Sequence, residues 1–535
     1  MIKKIMAVLL MIMFALTLFA SCDVKTSNDG EMTKQETGES SGIFNGEETT
    51  TPSESSDTEQ DSESTNNESV DTEDEDDGSD TFRVAFGFVD NCVLQRDQKV
   101  RIYGEGGKAG KIVTVTFGDQ VKSGKVASDG WEVYLDPMPA TAEGKDLIVE
   151  YGSIKRTYEN VVVGEVFLCS GQSNMSVSYN YILNKDATVE ADYHTYNNYS
   201  NLRFLQVHVR DKIVDIKRLH HYWLTYDTVE DAQDMSALAL SFASNLSAML
   251  GNEVPIGIIH CSVPGSSIEA WLDQEAKNGL THFSEGVSAW SCYYDAMLSG
   301  FDGYTVRAML WYQGETDSEP HMVSEYGEKF SRFVNLVRRD NKNDELPIIT
   351  FQLVQYKWVP WQEIRQIQFD AAHSIKNVYM VCGIDTGCNI PDNPSAFAAD
   401  GIHDSQKWLY GRRAAGLAVS ELLKMDYDSL AAKTSYGDMP YLSSAVKEGN
   451  TIVINIANAT TLSKSEGELT FFEIYDGNSW KEVSASLKGN QIILSINGNV
   501  EKVRYLHDDV FPDGTAFIYN EYGNPVSPTT GISVT

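Results

Sequence analysis

The chain has 535 residues, with 77 Asp and Glu against 42 Lys and Arg, a formal net charge of −35 at pH 7 and 42% hydrophobic residues. That length supplies more than one folding unit. So acidic a balance argues against nucleic acid as a partner, because phosphate binding needs clustered Lys and Arg.

Lys3 and Lys4 precede an apolar stretch from Ile5 to Phe19. It is too short for a comfortable bilayer span but matches the charged and hydrophobic regions of an export signal over residues 1–21. Ala20, Ser21 and Cys22 close the stretch. Small residues ending in cysteine resemble the lipobox of bacterial lipoproteins, which implies lipidation at Cys22, a membrane anchor and a place on the bacterial cell surface. The alternative is an ordinary cleaved signal beside a cysteine.

Residues 22–81 read as a tether. Between 23 and 80 there are 20 Asp and Glu, two Lys and almost no large apolar side chain. Such a segment cannot bury enough surface to offset its chain entropy, so it is expected to be disordered. The remaining cysteines, Cys92, Cys169, Cys261, Cys292, Cys382 and Cys388, are spread along the chain, and Cys382 with Cys388 is the closest pair in sequence. Their spacing proves no bridge. No CxxC or HExxH pattern occurs, so neither a metal nor another cofactor is expected.

From 82 to 160, KVRIYG, IVTVTFG, WEVYLDP and DLIVEYG alternate and are separated by turn residues, which predicts an antiparallel β region. From 161 to 425 the pattern changes. Apolar runs at 161–168, 202–207, 256–262, 305–312, 347–354 and 378–384 alternate with helical stretches at 235–250, 326–339, 361–375 and 406–423. Strand and helix in alternation predict an α/β unit with a parallel sheet covered on both faces, whose ligands bind beyond the carboxyl ends of the strands. The last segment, 426–535, holds TIVINIA, FFEIYDG and QIILSING, a second β region. It either packs with the 82–160 strands or caps the site.

Four polar loops follow the apolar runs: Gly171 to Asn174, Val263 to Ser267, Gln313 to Asp317, and Asp400 to His403 before the last helix. Together they hold the parts of an acyl-transfer site. Ser173 is the candidate nucleophile and His403 the candidate base, with Asp400 three residues upstream to orient the imidazole. Backbone N–H groups of Ser173 and Gly265, with the Gln313 amide, are the candidate oxyanion donors. Glu315 is assigned to the support of the loop that presents Gln313, with a solvated loop carboxylate as the equal alternative. Each piece alone is a common turn or surface residue, and GQSNM departs from GxSxG at Met175. Their order along the strands is what carries the reading.

GEVFLCSGQSNM, WYQGETDS and DGIH resemble the blocks of the sialate O-acetylesterase family within the SGNH hydrolases. FVDNCVLQR and VRYLHDDVF resemble the beginning and end of that family. The resemblance implies a flavodoxin-like hydrolase core flanked by N- and C-terminal β regions. It also implies a serine esterase that removes O-acetyl groups from carbohydrates, either acetylated sialic acid or a plant glycan. Two departures stand out. Val263, Pro264, Gly265 and Ser266 replace the usual Trp, Gly, Gly, Thr, and Asp404 replaces the proline after the histidine, offering a second carboxylate for the imidazole. Tyr179, Tyr181 and Trp271 suit either sugar stacking or the core, with Trp271 assigned to the core. Two other classes stay open: a lipoprotein that binds glycans without turnover, and a lipase-like esterase with a wide apolar groove.

Overall fold

Every residue from Val161 to Ser170 is buried, a pattern that fits a strand covered on both faces. This run lies in β1 (Ile154–Gly171) of the computed structural model, which describes residues 78–196, 199–207, 222–282, 293–357, 360–386, 401–508, 510–512 and 514–535. The expected signal, Cys22 and nearly all of the tether lie outside the described residues.

Two short helices follow β1, α1 (Ser173–Ser176) and α2 (Tyr179–Lys185). Next come β2 (Leu202–Gln206), β3 (Trp223–Thr225), α3 (Ala237–Met249) and β4 (Ile256–Ser262). The chain continues through β5 (Ala308–Tyr312), α4 (Val323–Asp340), β6 (Ile348–Phe351), α5 (Trp361–Ser374), β7 (Val378–Val381) and α6 (Lys407–Leu417). The strands lie in the order β3-β2-β4-β1-β5-β6-β7. All neighbours pair in parallel except β3 with β2. Strands β4, β5 and β6 are buried along their whole length, which accounts for their mostly apolar sequence.

The first half of β1 behaves differently. It pairs antiparallel with Thr141–Tyr151 and is exposed or half-buried at every residue from 154 to 160 before the strand enters the core. The boundary drawn at 160/161 therefore falls inside one continuous strand. Antiparallel strands Ile112–Phe117, Gln120–Lys125 and Thr141–Tyr151 extend the core sheet through it. A buried carboxylate reinforces the junction. Glu165 accepts from Arg96 Nε at 2.6 Å, Arg307 Nε at 2.7 Å and Gln95 Nε2 at 2.9 Å.

Helix α3 is capped by Ser236, whose hydroxyl accepts from Ala239 N at 3.1 Å, and every one of its residues is buried. Its Ala and Ser side chains leave room for α6. A Cβ at Gly411 would stand 2.3 Å from Ser241 Oγ, so the helices meet nearly backbone to backbone. The C-terminal region forms two four-stranded antiparallel sheets around a second hydrophobic cluster that also contains Cys382 and Ile384. It joins α5 and the segments after β6 and β7. Thr530 N donates to Gln366 Oε1 at 2.8 Å, and Phe511 N to Gln355 Oε1 at 2.9 Å. Cys382 is a buried free thiol, and Cys388 lies outside the described residues.

Strand β1 ends at Gly171 with φ +136°, where a Cβ would stand 2.1 Å from the Tyr312 carbonyl oxygen. Gly265 also has positive φ, +70°, but has nothing within 4 Å of an added Cβ. Gly171→Ala should therefore cost about 2 kcal/mol or more in urea unfolding, and Gly265→Ala only about 1 kcal/mol from backbone strain. Equal midpoint shifts for the two would contradict the close approach at Gly171.

Candidate active site

The serine turn is built by the sheet below it. Gln172 N donates to Tyr312 O at 2.9 Å, continuing the β1–β5 pairing by one residue, and Val263 N donates to Gly171 O at 3.0 Å. Ser173 then opens α1 and is 7% exposed. Among the described residues its hydroxyl makes no hydrogen bond. Ser173 therefore stands at the carboxyl end of the central strand with an uncommitted Oγ.

Its neighbours bind three distant segments. Gln172 Oε1 accepts from Gln313 Nε2 at 3.2 Å and Thr316 N at 3.3 Å. Asn174 Nδ2 donates to Glu315 Oε1 at 2.5 Å and to Ile402 O at 3.1 Å, while its Oδ1 accepts from Lys407 Nζ at 2.7 Å. The residue after Ser173 is thus bonded to the residue before His403. These bonds bring the GQSN, QGE and IH loops to one rim.

His403 is half-buried. Its Nδ1 lies 3.4 Å from Tyr181 Oη, its carbonyl is bonded by Lys185 Nζ, and its ring meets Tyr181 edge-on at 6.0 Å between centroids. Asp400 lies outside the described residues. Asp404, the second carboxylate, is turned away: it is 4% exposed, with Oδ2 accepting from Tyr410 Oη at 2.7 Å and Oδ1 from Gln406 N at 3.1 Å. It anchors the loop to α6.

Gly265 is exposed in the turn closed by Ser266 N donating to Val263 O at 3.2 Å. Its surroundings at the rim are open. Gln313 requires a correction. It is fully buried, and Nε2 contacts Asp317 Oδ2 at 2.6 Å, Gln172 Oε1 at 3.2 Å and Ser266 O at 3.2 Å. Three acceptors around one NH₂ leave no proton for an oxyanion, so Gln313 joins the turn at 263–266, the second block, to the loop at 313–317, the third block. Of the aromatics, Trp271 and Tyr179 are buried, and Trp271 Nε1 donates to Ser266 Oγ at 2.9 Å. Tyr181, 38% exposed, lies at the rim.

Glu315 is 6% exposed rather than solvated, and its Oε1 accepts from Asn174 Nδ2 in the serine turn. Burial raises its pKa, which the Asn174 hydrogen bond and the charges of His403 and Lys407 lower in part. Sequence reasoning missed Lys407, which reads as one face of the last helix, and also the cluster beneath Gln313. There Lys329 Nζ stands 3.4 Å from Glu269 Oε2 and 3.9 Å from Asp317 Oδ1, all three side chains being wholly buried. Among the described residues no group of three or more His, Cys, Asp or Glu could hold a metal ion.

Residues 163–395 match the family model described as carbohydrate esterase, sialic acid-specific acetylesterase. Over this segment the chain is similar to that family. Human sialate O-acetylesterase is 28% identical over 287 residues, which cover 47% of this chain and 54% of the relative. The rat enzyme is 24% identical over 296 residues, 44% of this chain and 52% of the relative. The chain thus spans about half the length of the curated relatives it matches. In fold, the α/β domain and its β flanks are similar to a carbohydrate acetylesterase from Xanthomonas citri. The TM-score is 0.68 at 23% identity, covering 84% of this chain and 99% of that one.

The buried cluster beneath the domain's third-block loop carries a pH signature. Two carboxylates face one ammonium, and burial, then the Glu269 charge, push the Asp317 carboxyl up to about 7. An unfolded Asp releases its proton near about 3.9. The folded chain holds that proton longer, so stability from this group falls as pH rises from about 4 to 7 and is level above. Asp317→Asn should remove that fall, measured by thermal unfolding between pH 4 and 8. An unchanged pH slope in the variant would contradict it.

Proposed function

We propose that the chain is a carboxylic ester hydrolase that removes O-acetyl groups from carbohydrates through an acetyl-Ser173 intermediate. The observation that carries this reading is the bond from Asn174 to Ile402 O. It ties the turn that bears the uncommitted serine hydroxyl to the loop that bears the histidine. The β4-β1-β5-β6-β7 order, which corresponds to 2-1-3-4-5 in chain order, supports the flavodoxin-like form of the core. It sets both loops at the carboxyl ends of the strands.

In the proposed reaction a ring nitrogen of His403 takes the Ser173 proton as Oγ attacks the acetyl carbonyl. The backbone N–H groups of Ser173 and Gly265 receive the oxyanion, and Gln313 acts only by holding the second-block turn. Collapse breaks the bond to the sugar oxygen, which leaves with the proton from His403. Water, deprotonated by the same imidazole, then attacks the acetyl-serine and releases acetate. Asp400 is assigned the orienting role.

The substrate is proposed as an acetylated sugar, sialic acid or plant glycan. Tyr181 supports a carbohydrate over a long acyl chain, because an exposed aromatic face beside the histidine suits stacking on a sugar ring. Lipid anchoring at Cys22, and with it the cell-surface location, rests on the sequence motif.

Ser173→Ala should leave the fold intact and lower turnover of a chromogenic acetate by about a thousandfold or more. A variant keeping most of its rate sinks the serine mechanism. In an acetate-release screen over sialic acid, xylan and mannan acetates, Tyr181→Ala should raise KM for the best sugar several-fold, with kcat within about twofold. An equal effect on a small acetate ester would argue against stacking. No release from any sugar by the wild-type chain would leave a glycan-binding protein instead.

A further inference from the structure

Lys407 opens α6 with no solvent exposure. Its ammonium donates to Asn174 Oδ1 at 2.7 Å and lies over the rings of Tyr312 and Tyr410, 5.4 and 5.3 Å from their centroids. On the far side of the same amide stands Glu315, 6% exposed, taking the Asn174 Nδ2 proton on Oε1 at 2.5 Å. The second proton of Nδ2 goes to Ile402 O at 3.1 Å. A neutral amide therefore lies between a buried cation and a buried anion. The three partners come from the third-block loop, the histidine loop and the last helix.

This arrangement has one sense. Charge-assisted hydrogen bonds are stronger than neutral ones, and both here act on the same amide. With the ammonium against Oδ1, Nδ2 must face the carboxylate and the carbonyl. Turned by 180°, the amide would set its nitrogen against Lys407 and its oxygen against two further oxygens. We infer that Lys407 is a positioning residue. It fixes the orientation of the Asn174 amide between Glu315 and the carbonyl before His403, and so holds the serine turn and the histidine loop in register.

The inference rests on the hydrolase reading above. Without the ammonium, Asn174 Oδ1 is a buried acceptor that has lost its charged donor, and Glu315 is a buried carboxylate without the cation across the amide. An uncompensated buried charge is costly. The amide then gains nothing from its present sense, and the bond to Ile402 O is the one it can release. Displacements of about 1 Å in a reacting group suffice for about a hundredfold in rate. Replacing Glu315 by Gln removes the charge that Lys407 balances, so the two positions must be coupled.

The test uses the whole chain and a chromogenic acetate. Lys407→Met should lower kcat about 10- to 100-fold with KM within about twofold, since Lys407 does not face the substrate. Lys407→Arg keeps the charge and should recover part of the loss. The double variant Glu315→Gln with Lys407→Met should be less impaired than the product of the two singles, and its unfolding midpoint should show the same coupling. If Lys407→Met does not fold, the comparison of the double variant with Glu315→Gln alone replaces it, and a lower kcat in the double variant is expected. Unchanged kcat, a parallel rise in KM, or additive effects at 315 and 407 would overturn the inference while leaving the hydrolase reading intact. A wild-type chain that turns over no acetate overturns both.

Discussion

Asn174 offers two protons and an oxygen, and in the interior each must be satisfied. The structure meets that demand with a carboxylate and a carbonyl on one side and an ammonium on the other. A buried polar group left unpaired costs about 1 to 3 kcal/mol, so the arrangement specifies position as well as stability. The two candidate reacting groups, Ser173 and His403, are the immediate chain neighbours of Asn174 and Ile402. The rim depends on this amide.

The rest of the molecule keeps that amide dry. Strands β4, β5 and β6 are mostly apolar and buried along their whole length. The glycine at 171 lets β1 turn against β5, where a Cβ would stand 2.1 Å from the Tyr312 carbonyl oxygen. Six residues earlier in the same strand, Glu165 gathers Arg96, Arg307 and Gln95, fastening the N-terminal β region to the core. On the α6 side, fully buried Arg413 holds Asp385 with two bonds, at 2.8 and 2.7 Å, fixing the end of the β7 segment before the histidine loop. Rigid strands and ion pairs thus set the starting points of the loops.

Gln313 shows how a motif residue acquires a different duty in place. Its side chain is one residue beyond β5, close to where an oxyanion donor would stand, but Asp317, Ser266 and Gln172 take its amide protons. The buried pair of Asp317 and Glu269 needs donors, with one lysine between them. That demand outweighs a role at the surface. Asp404 follows the same logic: Tyr410, buried and in need of an acceptor, draws the carboxylate inward.

Periodicity and turn chemistry were enough to read the alternation of strand and helix, the β flanks and the polar loops that hold Ser173, Gly265, Glu315 and His403, since these depend on local composition. Trp271 as a core residue followed from the same reasoning. The continuity of β1 across residue 160 was not legible, because alternation and a buried run look like two elements until a partner on each side is known. Nor was Lys407, which stands four residues after His403 and reads as a charged helix face. Burial of a charge, the direction of an amide and the number of acceptors around one nitrogen depend on segments 141 to 233 residues apart. Sequence determined which side chains could take part, and tertiary structure decided which protons were already spent, because hydrogen bonding in a dry interior is settled by what surrounds each group in space.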